Sequence, residues 1–161
     1  MSAHVLEHVI QTLEISKDEF IAAPIDIVFE SLLEQMGPYN ETPDGAPMPM
    51  KIEAWPGGRW FRDLGNNTGH YWGTVQSVKP PALLEIHGPM FMSAPVVSHL
   101  IYRLTTEEGG TRLKFSHRAF GEIAPEYIDG SRINAGWTFL VAKVRASAES
   151  KAKETKRPPS N

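Results

Sequence analysis

VVSHLIYRLTTEEGGTRLKFSHRAFG, Val96 to Gly121, decides the fold. Two apolar-polar alternating runs flank the turn EEGG, and alternation of period two is the mark of a strand with one buried face. Leu113, Phe115, His117 and Ala119 share one parity, while Arg112, Lys114, Ser116 and Arg118 share the other. The first set is the inward one, because an apolar row gains by leaving water and a charged row does not. In the partner run, Ser98, Leu100, Tyr102 and Leu104 alternate with His99, Ile101 and Arg103. The segment is therefore an antiparallel hairpin that turns a single apolar face toward the interior.

Downstream of the hairpin the period changes. Ile133, Trp137, Leu140, Val141 and Val144 fall on one stripe of a helix, starting at Pro125 or at Ser131 and ending near Ser147. The polar stretch SKAKETKRPPSN that follows has no apolar residue larger than alanine and is expected to be a solvated tail. Upstream, TLEISKDEFIAAP reads as a strand with a bulge near Lys17 and Asp18, which would place Leu13, Ile15 and Phe20 on one face. Pro24 opens a helix whose stripe is Ile25, Val28, Phe29, Leu32, Leu33 and Met36, and Gly37-Pro38 ends it. The proline-rich YNETPDGAPMPM is a long loop of the kind that forms rims or lids. Short strands in KIEAW and RWFRD meet at the corner Pro56-Gly57-Gly58, where glycine tolerates the positive φ of a tight turn, so the corner is structural. HYWGTVQSV and ALLEIHG supply two more strands, and PMFMSAP an apolar loop.

The order is strand, helix, several antiparallel strands, long helix. The final helix is the one large apolar element left to cover the sheet's inner face, so the strands must curl around it. This is an α+β chain with three expected parts: an arm over residues 1–9, a domain over 10–148 and a disordered polar tail over 149–161.

The stretches FIAAPIDIVFESL, PGGRWF, GTVQSVKPPALLEI, LIYRLTTEEGGTRLKFSHRAFG and GWTFL, taken in this order over roughly residues 10–145, resemble the START-like helix-grip superfamily, often labelled SRPBCC. Within it they are most similar to bacterial homologues of the heat-shock-protein ATPase activator, the AHSA-type domains. The resemblance implies a seven-stranded antiparallel sheet gripping the C-terminal helix, with a cavity between them. It also implies a lipid-, sterol- or polyketide-like ligand, with cyclisation or hydrolysis in some members and chaperone contact in others. Where many relatives carry a tryptophan-rich segment after the first helix, this chain has GPYNETPDGAPMPM.

The bulk properties bound the alternatives. The chain has 161 residues, 41% of them apolar, a net charge of −3 and no cysteine. One domain with a substantial core is expected. A concentrated basic face for nucleic acid is lacking, and thiolate chemistry, disulfides and cysteine-based zinc sites are ruled out. The start of the chain has neither a signal-peptide pattern nor a run long enough to cross a membrane, so a cytoplasmic protein without membrane contact is expected. No cofactor or metal is expected. HVLEH, His4 to His8, matches an inverted zinc-peptidase pattern but lacks the helix, cleft and third ligand that chemistry needs. A homodimer is one possible assembly.

The candidate ligand-binding residues are Trp60, Arg62, Trp72, Phe91, Met92, Leu100, Tyr102, Phe115, His117, Gly136 and Trp137. His117 is a polar group on an apolar face. It is either a core histidine tied to a partner or a group that orients a ligand or moves a proton. Tyr102 has two readings as well, its hydroxyl meeting a ligand or reaching solvent. Trp60 and Arg62 share a strand face, offering a flat wall and a cation if that face lines the cavity. Trp137 lies on the helix stripe. Gly136 beside it allows close approach of a strand or a ligand, since glycine inside a helix otherwise costs about 1 kcal/mol. Three functions follow: binding of a small hydrophobic or amphipathic molecule, a cyclase- or hydrolase-type reaction with His117 as general acid or base, and a chaperone-interacting module.

Overall fold

A computed structural model describes residues 9–156. The chain runs β1 (Gln11–Ile21), α1 (Ile25–Met36), β2 (Lys51–Ile52), β3 (Arg59–Gly65), β4 (Thr68–Lys79), β5 (Leu83–Gly88), β6 (Val96–Glu107), β7 (Gly110–Gly121), a short 3-10 turn (Pro125–Tyr127) and α2 (Ser131–Thr155). All seven strands pair antiparallel in the order β1-β7-β6-β5-β4-β3-β2. Topology and strand count match the expected α+β helix-grip architecture.

The hairpin that decides the fold behaves as its alternation predicts. Leu113, Phe115, His117 and Ala119 are buried, as are Ser98, Leu100, Tyr102 and Leu104 on the strand beside them. His99 takes the opposite parity and meets the Glu85 carboxylate at 2.6 Å, so no His99–His117 pair forms.

Three expectations need correction. β1 has no bulge: its pairing with β7 is unbroken from Gln11↔Gly121 to Ile21↔Thr111. Ile21, not Phe20, continues the inward row of Leu13 and Ile15, and Phe20 lies outside under the Arg112 guanidinium. Lys17 and Glu19 share the inward parity, and α2 supplies their partners. Lys17 Nζ donates to Asn134 Oδ1 (2.6 Å) and Thr138 Oγ1 (2.8 Å), and Glu19 pairs with Arg145. The second correction is at the end of α2, which runs to Thr155 and takes in the first part of the expected tail. Ala148 and Ala152 extend the stripe of Ile133, Trp137, Leu140, Val141 and Val144, and they are buried. Lys151, between them, reaches Glu34 Oε2 (2.9 Å) and Ser31 Oγ (3.2 Å) on α1, so small residues serve where two helices run close together. Third, the KIEAW strand shortens to Lys51–Ile52, because Glu53 turns its carboxylate onto the Arg59 backbone N–H and guanidinium.

The ion pairs between α2 and the rest involve half-exposed groups, each worth at most about 1 kcal/mol. Each fully buried large apolar side chain of the α2 stripe contributes about 1.5–3 kcal/mol. Apolar burial therefore holds the helix on the sheet, and the polar contacts fix its rotation. α2 also covers one end of the β1 edge: Arg145 Nε donates to the Phe20 carbonyl (3.2 Å) and the Ala22 N–H donates to Glu149 Oε1 (3.0 Å). Among the described residues, no helix is long and apolar enough to cross a membrane. The HVLEH stretch and the last five residues lie outside the described residues.

Candidate functional site

A cavity of about 300 Å³ lies between the sheet and α2. Its sheet wall is Trp60 of β3 and Trp72 of β4, continued by Phe91 from the β5–β6 loop. The α2 wall is Ile133, Gly136, Trp137, Phe139 and Leu140, and Tyr127 of the 3-10 turn closes one side. The rim is the loop after α1, through Asn40, Glu41, Thr42, Pro43 and Met48, together with Arg132.

Local structure aims each aromatic side chain. Trp60 is buried, and its indole N–H donates to the Met36 carbonyl at 2.8 Å. That carbonyl ends α1, where the helix itself supplies no donor, so one bond both caps the helix and fixes the ring. Trp72 sits at a bulge: Trp60 opposes Gly73 and Phe61 opposes Tyr71, leaving Trp72 as the extra residue of β4. The bulge re-aims its ring, which stands edge-on to Trp60 with centroids 5.0 Å apart and to Phe91 at 5.8 Å. Its indole N–H donates to His70 Nδ1 (2.9 Å). Phe91 follows Met90, whose φ of 57° is in the left-handed region, in a loop that buries Met90 and Met92 and turns Phe91 toward the cavity.

Trp137 is held from behind. Its indole N–H donates to His117 Nδ1 at 3.0 Å, and His117 Nε2 lies 2.9 Å from Ser98 Oγ. An indole is a donor only, so Nδ1 must be the acceptor and the neutral ring carries its proton on Nε2, which donates to Ser98. Burial lowers the His117 pKa to about 4, because a charged imidazolium would lose its hydration there. His117 is thus a neutral core group with both nitrogens engaged, tying α2 to β7 and β6.

The expected site residues divide accordingly. Trp60, Trp72, Phe91, Gly136 and Trp137 line the cavity together. Met92, Leu100, Tyr102, Phe115 and His117 are buried behind that lining. Tyr102 reaches neither the cavity nor solvent. Its ring packs on Phe115 at 4.6 Å, its hydroxyl has no hydrogen-bond partner among the described residues, and burial raises its pKa, keeping it a phenol. Arg62 does not share the Trp60 wall; it lines a separate polar groove at the β3–β4 hairpin with Lys51, Asp63 and Asn66. Gly136 has room around it: a Cβ built there meets nothing within 4 Å, so it leaves space in the cavity and makes no close approach to a strand.

Sequence reasoning missed Tyr127, Arg132 and Phe139. The signal was present in α2, where Arg132, Gly136 and Phe139 stand at spacings of four and three, a second stripe flanking the first. The loop after α1 is strapped to this side of the helix. Lys143 Nζ donates to the Tyr39 carbonyl and meets Glu41 Oε1, both at 3.0 Å, and Asn40 and Met48 bond across the loop.

No family model and no curated protein matches the chain. Solved structures do match in three dimensions. The Aha1 dimer from Colwellia psychrerythraea superposes with a TM-score of 0.60 at 14% identity, over 85% of this chain and 96% of that one. A protein of unknown function from Staphylococcus aureus, SA2116, gives 0.64 at 14% identity, over 89% and 98%. The di-domain ARO/CYC StfQ from the steffimycin biosynthetic pathway gives 0.59 at 13% identity, over 89% of this chain and 52% of that one. This chain has the helix-grip fold. At such identities the likeness extends to the helix-grip architecture alone. The aromatic cavity between the helix and its grip is a property of this chain's own residues.

Proposed function

We propose that the protein binds a small hydrophobic or amphipathic molecule in the cavity between the sheet and α2. The observation that carries this reading is the cavity's lining, in which aromatic and aliphatic side chains from five separate segments converge on about 300 Å³. A concave apolar space with a few polar groups at its rim is the usual form of a small-molecule site. Apolar surface left in such a space gains free energy when a guest displaces its water. The solved structures that share the fold include an ARO/CYC protein of a biosynthetic pathway, which is compatible with a small-molecule role.

A cyclase- or hydrolase-type reaction through His117 fits less well. A general acid or base must reach the proton it moves, whereas both His117 nitrogens are engaged and the ring is behind Trp137. The test is mass spectrometry of protein purified from cell extract, under native and then denaturing conditions. The native species should carry an added mass that denaturation releases. Identical masses in both, together with no binding of the aromatic and aliphatic probes named below, would overturn the reading.

A further inference from the structure

We infer that the guest is a flat aromatic molecule that buries only carbon and keeps its single polar group at the mouth. This rests on the cavity-binding reading above and narrows it. The three tryptophans of the lining are the natural donors to a buried guest, since each indole has one N–H. All three are already committed to the protein: Trp60 to the Met36 carbonyl, Trp72 to His70 and Trp137 to His117. Their rings therefore offer carbon faces and edges. The polar groups of the rim are only partly engaged, with one Arg132 N–H and one Asn40 amide N–H in use, so what they still offer is at the mouth. Glu41 is paired with Lys143 (3.0 Å), Arg132 with Glu126 (2.9 Å), and the Thr42 hydroxyl with Asp44.

A guest with a hydroxyl or ketone set against the tryptophans would lose that group's hydration and find no free indole N–H in return; the donors that remain, the Tyr127 hydroxyl and the Arg132 guanidinium, stand at the side and the rim. A polar group at the mouth stays in water and loses nothing. The rings also stand edge to face: Trp72 on Trp60 at 78°, Phe91 on Trp72 at 71° and Tyr127 on Phe91 at 67°. A planar aromatic guest continues that arrangement, presenting ring edges to faces and faces to edges. An alkyl chain of equal carbon content gains contact area alone and loses rotamer freedom on being fixed.

The test is a titration of the full chain with three probes, read from the ¹⁵N–¹H signals of the tryptophan indoles. 2-Naphthol has one polar end, 2,6-dihydroxynaphthalene has two, and decanoate is a flexible chain of matched carbon count. The sequence has four tryptophans, and the fourth, Trp55, is 57% exposed and outside the lining, so it serves as an internal control. 2-Naphthol should shift the signals of Trp60, Trp72 and Trp137 and leave Trp55 in place. The diol should bind at least about ten-fold more weakly, the effect of one buried group without a partner, and decanoate more weakly than 2-naphthol. Equal affinity for the diol, or tighter binding of decanoate, overturns the inference while leaving the cavity-binding reading intact. No shift of the three indoles with any probe at about millimolar concentration overturns the inference, and combined with identical native and denatured masses it overturns the cavity-binding reading as well.

Discussion

Gly136 costs α2 about 1 kcal/mol relative to alanine, and no strand or side chain crowds it. The space it leaves is cavity space. Gly136→Ala should therefore raise stability by about 0.5–1 kcal/mol in urea unfolding and weaken 2-naphthol binding several-fold. Unchanged affinity would place the guest elsewhere. His117 gives a pH dependence whose sign follows from burial. Its folded pKa is lowered to about 4, against about 6.5 when unfolded. Above pH 6.5 neither state binds the proton. Between 6.5 and 4 the unfolded chain takes it up and the folded chain does not, so stability falls as pH falls, by about 2 kcal/mol between pH 7 and 5. Arg59, Lys51 and Arg112 hold the carboxyls of Glu53, Asp63 and Glu107 below their usual range, so these groups stay charged in the folded protein between pH 7 and 5. Urea unfolding at pH 7 and pH 5 should show the loss in the wild type and little of it in His117→Gln, which should itself be weakened at pH 7 by about 1–3 kcal/mol. An equal pH slope in both proteins would mean that His117 is charged or exposed in the folded state.

At the scale of elements, alternation and helical period carried most of the information. The β6–β7 hairpin was legible because both its strands keep strict parity and its turn is glycine-rich. The register of β1 is hidden in the sequence because Phe20 is the apolar residue of its outer face, while Lys17 and Glu19 are inward only by virtue of polar partners on α2, over a hundred residues away in the chain. The end of α2 is not legible in the sequence because alanine is a weak apolar signal. Against a second helix it is the residue that allows close approach, and alanine, lysine and glutamate are all good helix formers. Ala148→Leu separates the two readings. In a solvated tail it would be neutral, whereas packed beside α1 it should destabilise by about 1–3 kcal/mol and lower the thermal midpoint. Of the candidate site, Trp137 was legible from its place on the helix stripe, whereas the face taken by Trp60 and Arg62 was open. The bulge that re-aims Trp72 was not legible, because register across an irregular pair depends on tertiary packing.

For the molecule as a whole, the sheet's grip on α2 is tight at its centre and open at one end. Toward β6 and β7 the space is filled by Leu100, Tyr102, Phe115 and His117, all buried. Toward β3 and β4 it widens into the cavity, with aromatic rings standing apart from one another and Gly136 opposite them. The same fold thus divides into a solid half that supplies stability and a hollow half that supplies a seat for a guest. A second groove, at the β3–β4 hairpin, is polar and lies on the rim of the sheet. The most direct test is a map of intermolecular nuclear Overhauser effects from bound 2-naphthol. The account predicts contacts to Gly136 Hα and to the Trp72, Phe91 and Trp137 rings; contacts to Arg62 and Asn66 of the hairpin groove, with the cavity residues silent, would contradict it.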